Sequence, residues 1–241
     1  MGIRDMFERL TGGSKQDVEA GVAAYRAGDH QKALTMLAPH AERGDPRAQY
    51  YLAALYQFGQ AVAADPAMAL AWYRKAADQS YAPAQYTVGV FHALAKSVPR
   101  DHAEAARWFR KGAEQGHAAS QYSMGIAYRE GLGVGKDMAE AGRWFALAAA
   151  QGDAESQAAL GVLKEWGDGV ARDFAEAARL YGLAAAQGHA EARFRLGMLY
   201  RDGAGVATNR DEARRLFGLA AAQGHGTAQH ALESLDAPEA P

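Results

Sequence analysis

An all-α solenoid of stacked helical hairpins is the fold this sequence predicts, and three observations predict it. Gln115-Gly116 returns as Gln151-Gly152, Gln187-Gly188 and Gln223-Gly224, a step of 36 residues each time, without insertion or deletion. Self-similarity at a fixed period of this size marks a repeat architecture, in which each copy buries its apolar face on its neighbours. Inside each copy, apolar residues recur three and four positions apart in two successive stretches, the spacing of one helix face. A glycine-rich turn separates the two stretches, Gly131-x-Gly133-Val134 returning as Gly167-x-Gly169-Val170 and Gly203-x-Gly205-Val206.

Composition narrows the class. Of 241 residues, 49% are hydrophobic and alanine supplies much of that, which suits closely packed helices. The formal net charge is −2, so the chain has no basic footprint for nucleic acid. No apolar run approaches the roughly 18 residues of a membrane span. With no cysteine there is no disulfide, thiol nucleophile or thiolate metal site. The N-terminus lacks the apolar core and small-residue cleavage site of a secretory signal. Together these features point to a cytoplasmic protein.

The elements follow in order. Residues 1–14 place Ile3, Met6, Phe7 and Leu10 on one face of a short amphipathic helix, followed by the Thr11-Gly12-Gly13-Ser14 break. That segment either caps the first repeat or docks elsewhere. Residues 17–44 form a first helix pair, with Val18, Val22 and Tyr25 inward on one helix and Ala33, Met36 and Leu37 on the other. Five full repeats follow at 45–80, 81–116, 117–152, 153–188 and 189–224. Residues 225–236 supply a closing helix, and the Pro-rich tail 237–241 reads as disordered.

Columns within the repeat carry physical meanings. The first helix holds Leu52, Val88, Met124, Leu160 and Leu196 in one column and Ala53, Gly89, Gly125, Gly161 and Gly197 in the next. Glycine inside a helix costs about 1 kcal/mol relative to alanine. Its recurrence predicts that the partner helix crosses there, too close for a larger side chain. The second helix starts at Asp65, Asp101, Asp137, Asp173 and Asn209, each able to N-cap. Glu104, Glu140, Glu176 and Glu212 sit three residues on and complete a capping-box pattern. That helix buries Ala69, Ala105, Ala141, Ala177 and Ala213, then Tyr73, Phe109, Phe145, Tyr181 and Phe217. In the repeat 81–116, Ala95 and Ser97 replace the turn glycines, and Ser80 replaces the glycine that ends the helix before it.

With these columns in place, the chain resembles the Sel1-like repeat proteins, relatives of the tetratricopeptide repeats. The pattern A-x-x-x-L-G-x-x-Y, G-x-G-V-x-x-D, A-x-x-W-F-x-x-A-A-x-Q-G-H fits best at 117–152, and the likeness covers about 45–236. Residues 17–44 look closer to a plain tetratricopeptide unit. The resemblance implies a right-handed superhelix of helix pairs that acts as an adaptor for other proteins.

The residues argue against chemistry. Gly131-x-Gly133-x-Gly135 lies between helices with no strand before it, so the dinucleotide fingerprint fails. His117, His189 and His225 share one column. Neighbouring helices pack about 8–10 Å apart, whereas zinc needs its nitrogens about 2 Å from the metal. These histidines therefore read as helix-start residues bonding to backbone. No HExxH, GxSxG or EF-hand loop occurs, so no catalytic residue, metal or cofactor is expected. Arg107, Arg110, Lys111 and Arg129 are interleaved with Glu104, Glu114 and Glu130, an ordinary solvated helix surface.

The leading expectation is thus a non-enzymatic scaffold that binds a protein or peptide. The alternatives are a regulatory or specificity subunit of an enzyme complex and, more remotely, a weak hydrolase. By analogy with tetratricopeptide pairs, first helices line the concave side. The expected ladder there is Tyr50, Tyr86, Tyr122 and Phe194, with Val90, Ile126 and Met198 one turn on. Arg129 and Arg201 follow as cationic handles. Aromatics interleaved with arginine dominate binding energy at interfaces. The competing use of the same rings is packing between neighbouring first helices.

Overall fold

The computed structural model describes residues 15–236, so the expectations for 1–14 and 237–241 lie outside the described residues. The chain divides into two compact units, Met1–His117 and Ala118–Pro241. Among the described residues all regular structure is helical.

The first unit contains α1 (Lys15–Arg26), α2 (His30–Glu42), α3 (Pro46–Phe58), α4 (Pro66–Asp78), α5 (Ala82–Ala93) and α6 (His102–Glu114). Each helix packs on the next, and α1 also touches α3. Val18, Val22, Leu37, Leu52 and Leu55 form one core cluster, and Tyr73, Val88 and Phe91 belong to another. The second unit contains α7 (Ala118–Glu130), α8 (Met138–Ala150), α9 (Ala154–Trp166), α10 (Phe174–Ala186), α11 (Ala190–Asp202), α12 (Arg210–Ala221) and α13 (Gly226–Asp236), again packed in succession. Phe145, Tyr181 and Phe217 are fully buried there.

The glycine column does what its recurrence predicts. A Cβ built on Gly125 would stand 2.4 Å from a Phe145 ring carbon, and one on Gly89, Gly161 or Gly197 2.6 Å from Phe109, Tyr181 or Phe217. The object that crosses the glycine is an aromatic ring of the second helix, which leans into the space a side chain would fill.

Helix starts are capped as expected. Oδ1 of Asp101, Asp137, Asp173 and Asn209 accepts from the backbone N–H three residues on, at 2.9–3.0 Å. The reciprocal arm of the capping box is not made, which corrects the sequence reading. The capping residue's own N–H donates instead to the end of the preceding helix: Asp101 to the His92 carbonyl, Asp137 to Tyr128, Asp173 to Lys164, Asn209 to Tyr200. Those carbonyls have no partner within their own helix, so the hairpin satisfies both groups at once. Glu104, Glu140, Glu176 and Glu212 are thereby released to pair with Arg107, Arg143, Arg179 and Arg215.

A glutamine ladder joins successive hairpins inside each unit. Gln79 Nε2 donates to Gln49 Oε1 at 2.9 Å and Gln115 to Gln85 at 2.7 Å in the first unit. Gln151 donates to Gln121 at 2.7 Å and Gln187 to Gln157 at 2.9 Å in the second. The acceptor glutamines are buried, and Gln49, Gln85 and Gln157 each also donate to a carbonyl of the preceding helix. Buried amides that are satisfied in this way fix the register of one repeat on the next. The sequence shows the Gln-Gly beat but not this role, because the acceptor lies 30 residues away.

Candidate binding surface

The candidate residues all stand on the first helix of a hairpin, and all are half-buried. In the first unit Tyr50 comes from α3 and Tyr86 and Val90 from α5. The tyrosine rings are held by neighbours: Tyr50 lies 5.3 Å from Tyr73 and 5.5 Å from Tyr81, and Tyr86 lies 5.9 Å from Phe109 and 5.6 Å from His117. In the second unit the Tyr122 ring lies 5.8 Å from Phe145, and Phe194 stacks on His225 at 4.7 Å with Phe217 at 5.8 Å. Ile126 packs with Tyr122 on the Phe145 cluster, and Met198 with Phe194 on the Phe217 cluster. Ala158, buried, occupies the row between Tyr122 and Phe194, so the second unit carries two separate aromatic patches.

The two arginines are not open handles. Arg129 Nε lies 2.7 Å from Glu130 Oε1, and Arg201 pairs with both carboxylate oxygens of Asp202 at 2.6 and 2.9 Å. The adjacent carboxylate holds Arg201 in its charged form, raising its pKa. A partner's acid would therefore compete with a local one. The repeat column puts these side chains on the first helix, but the carboxylate of the next residue reaches the same surface at the helix end.

Tyr50, Tyr86 and Val90 do converge, in a groove of about 330 Å³ on the first unit. Tyr25, Tyr51, Tyr73 and Phe58 complete its aromatic lining, with Ala54, Gln57 and Thr87. Tyr25 packs 5.1 Å from Tyr51, and Phe58 at the end of α3 is 60% exposed. Burial raises the hydroxyl pKa of Tyr50 against a lowering hydrogen bond with Thr87, and the neighbouring Tyr51 and Tyr86 add to the rise. Burial does the same to Tyr25 and, more strongly, to Tyr73. The hydroxyls therefore stay protonated. Tyr73 Oη donates to Gln57 Oε1 at 2.8 Å, and Arg26 donates to Tyr51 Oη at 3.3 Å. Sequence reasoning missed Tyr25, Tyr51 and Phe58 because each falls outside the column chosen. The tyrosine excess of 25–86 was the available signal.

The histidine column behaves as helix-start chemistry. His189 Nδ1 accepts from the Ala192 N–H at 3.1 Å and His225 Nδ1 from Ala228 at 3.3 Å. Their other nitrogens face a carboxylate of the preceding repeat, Glu155 at 3.3 Å and Glu191 at 2.7 Å.

The Sel1 repeat family matches residues 46–81, 82–117, 118–153, 154–189 and 190–225. A crystal structure of a Sel1 repeat protein from Oxalobacter formigenes is 30% identical with a TM-score of 0.85, covering 95% of this chain and 93% of that one. A protective antigen present in uropathogenic Escherichia coli strains, displaying an SLR fold, is 34% identical with a TM-score of 0.86. That match covers 100% of this chain and 54% of the antigen, so the chain spans about half the antigen's length. An immunity protein from Pseudomonas aeruginosa, 21% identical at a TM-score of 0.55 over 88% of this chain and 83% of that one, shares the fold alone. No curated protein matches the sequence. Five matched repeats, the columns that pack them and the solved relatives agree: the chain is an all-α solenoid belonging to the Sel1 repeat family.

Proposed function

We propose that this chain is a non-catalytic scaffold that binds a protein or peptide through the first-helix faces of its repeats. The observation that carries this reading is the tyrosine-lined groove, which gathers Tyr50, Tyr86 and Val90 with Tyr25, Tyr51 and Phe58. Aromatic side chains bring large contact area for little conformational entropy, and tyrosine is among the residues enriched at binding hot spots. The patches at Tyr122 with Ile126 and at Phe194 with Met198 offer secondary contacts of the same kind. Arg129 and Arg201 contribute at the margin, each after exchanging its neighbouring carboxylate for one on the partner.

The test is site-specific photo-crosslinking. A benzophenone side chain replaces Tyr86 or Val90 in the groove, or Leu183, which is 42% exposed on a second helix. Cross-linked products are then identified by mass spectrometry. The groove positions are expected to capture one common partner that Leu183 does not. Capture at Leu183 with none at Tyr86 and Val90 would move the docking surface to the second helices and end the proposal.

A further inference from the structure

We propose that the tyrosine groove of the first unit takes a proline-rich segment in the polyproline II conformation; this rests on the scaffold reading and narrows its partner class. Charge favours an uncharged occupant. No charged side chain lines the groove, whose walls are tyrosine, phenylalanine, alanine, valine, threonine and glutamine. Apart from Arg26, which donates to Tyr51 Oη, a charged segment would meet no counter-charge from the lining as it lost water, and an unpaired buried charge is costly. The occupant is therefore neutral along the stretch that sits in the groove.

The lining is also rich in hydrogen-bond donors. Among the described residues, the hydroxyls of Tyr25 and Tyr86 make no hydrogen bond, their contacts being ring contacts. Tyr51 Oη accepts from Arg26, which leaves its own proton free to donate. Tyr73 gives its proton to Gln57 Oε1, which leaves the Gln57 amide nitrogen as a further donor. An occupant that fits must supply carbonyl oxygens and bring few N–H groups of its own. A helix does not, because its carbonyls are already paired internally. An ordinary extended strand brings one N–H for every carbonyl. Proline has no N–H, and the polyproline II backbone leaves its carbonyls free.

Shape and entropy point the same way. Tyr25 is tilted 60° to Tyr51, and Tyr50 by the same angle to Tyr73, and pyrrolidine rings pack flat against the ring faces such an arrangement presents. A polyproline segment is ordered before it binds, so a shallow groove need not offset a large ordering cost. Aromatic-lined grooves are a general solution for binding such segments.

The experiment titrates the full chain with an oligoproline peptide, an alanine-based helical peptide and a Lys/Glu-rich extended peptide, followed by tyrosine fluorescence. Oligoproline is expected to bind saturably and the other two not. Tyr86→Ala should weaken oligoproline binding at least about tenfold, the scale of a hot-spot residue. Tyr86→Phe keeps the ring and its packing on Phe109, so a several-fold loss in that variant isolates the hydroxyl. Leu183→Ala, on a second helix of the other unit, should leave the affinity unchanged. Absence of oligoproline binding, or binding indifferent to both Tyr86 variants, overturns the inference. The photo-crosslink at Tyr86 separates the two readings. A partner captured through a segment without proline overturns the polyproline proposal and leaves the scaffold standing. Capture through a proline-rich segment supports both, and no capture with no oligoproline binding removes both.

Discussion

The same three positions of the repeat build a neutral groove in one unit and a charged network in the other. In the first unit they are Gln57, Tyr73 and Thr87, and Tyr73 donates to Gln57. In the second unit the equivalent residues are Glu165, Tyr181 and Arg195. There Tyr181 donates to Glu165 at 2.6 Å, and Arg195 bridges Glu165 at 3.2 Å and Glu191 at 2.6 Å. Burial, then the Glu165 hydrogen bond, raises the Tyr181 hydroxyl pKa. Where the second unit has a guanidinium satisfied by two carboxylates, the first has the short Thr87, which donates to the Pro83 carbonyl at 2.9 Å and lines the groove. The same repeat positions and the same tyrosine thus line an open groove in one unit and an ion network in the other, according to two neighbouring side chains.

The units differ a second time in their turns. Ala61, Ser80, Ala95 and Ser97 have positive φ, and all four lie in the first unit. The second unit has glycine at every equivalent position, such as Gly133, Gly152, Gly169 and Gly205. A side chain in the left-handed region costs roughly 1–2 kcal/mol. At Gly205 the reason for glycine is also steric. A Cβ there would stand 2.3 Å from the Phe174 carbonyl carbon, in the first turn of the second helix one repeat earlier. Ala61 and Ser97 carry a Cβ at this column, so their loops must stand further off. The unit with the open groove is also the one with strained loops.

Four experiments break or sharpen this comparison. The largest effect is expected from Gly125→Leu, which drives a side chain into the Phe145 ring. Overpacking of this kind costs roughly 1–3 kcal/mol or more, and the gain in helix propensity offsets about 1 kcal/mol at most. Gly135→Leu serves as control, because nothing lies within 4 Å of a Cβ there. Urea midpoints should separate the two widely; equal midpoints would sink the packing assignment.

Next is the transplant Gln57→Glu with Thr87→Arg, which copies the second unit's ion pair into the first. It should fill the groove and lower affinity for the crosslinked partner about tenfold, or about 1.4 kcal/mol. Thermal melting should hold near the wild-type value. Unchanged affinity would show that these two positions do not govern access.

A smaller effect is expected from the reciprocal turn exchange. Ser97→Gly should stabilise the protein by about 1 kcal/mol, whereas Gly205→Ala should destabilise it by more than that. Chemical denaturation reads both, and a destabilising Ser97→Gly would mean the Ser97 side chain makes contacts that outweigh its backbone strain.

The smallest effect concerns acid. The Arg179 hydrogen bond holds Glu176 below its ordinary pKa, and Arg215 does the same for Glu212. A depressed folded-state pKa stabilises above the ordinary glutamate value, and that stability disappears as pH falls through the lowered one. Both arginines are largely exposed, so each pair is worth about 0.5 kcal/mol or less. The double variant Glu176→Gln, Glu212→Gln should melt slightly below wild type at neutral pH and alongside it in strong acid. A gap that widens in acid would refute the assignment.

Most of the architecture was legible because it rests on local rules repeated in register. The period, the capping Asp and Asn residues and the glycine column follow from helix chemistry that each copy states again. The capping box was read halfway. Asp101 and its counterparts cap as their residue type demands, but which acceptor takes their N–H depends on where the preceding helix ends in space. The aromatic column was read as a ladder, and Tyr50, Tyr86, Tyr122 and Phe194 do stand on first-helix faces. That Tyr25 from α1 and Phe58 from the end of α3 join two of them in a groove depends on packing between hairpins.

Sequence alone was enough for the repeat length, the helix pairs, the close approach at the small-residue column and the lack of cysteine. These follow from the periodic spacing, from glycine's lack of a side chain and from composition. The tertiary structure alone decided which polar groups meet. Gln85 finds Gln115 and Arg195 finds Glu165, because partners 30 residues apart are brought together only when one hairpin stacks on the next.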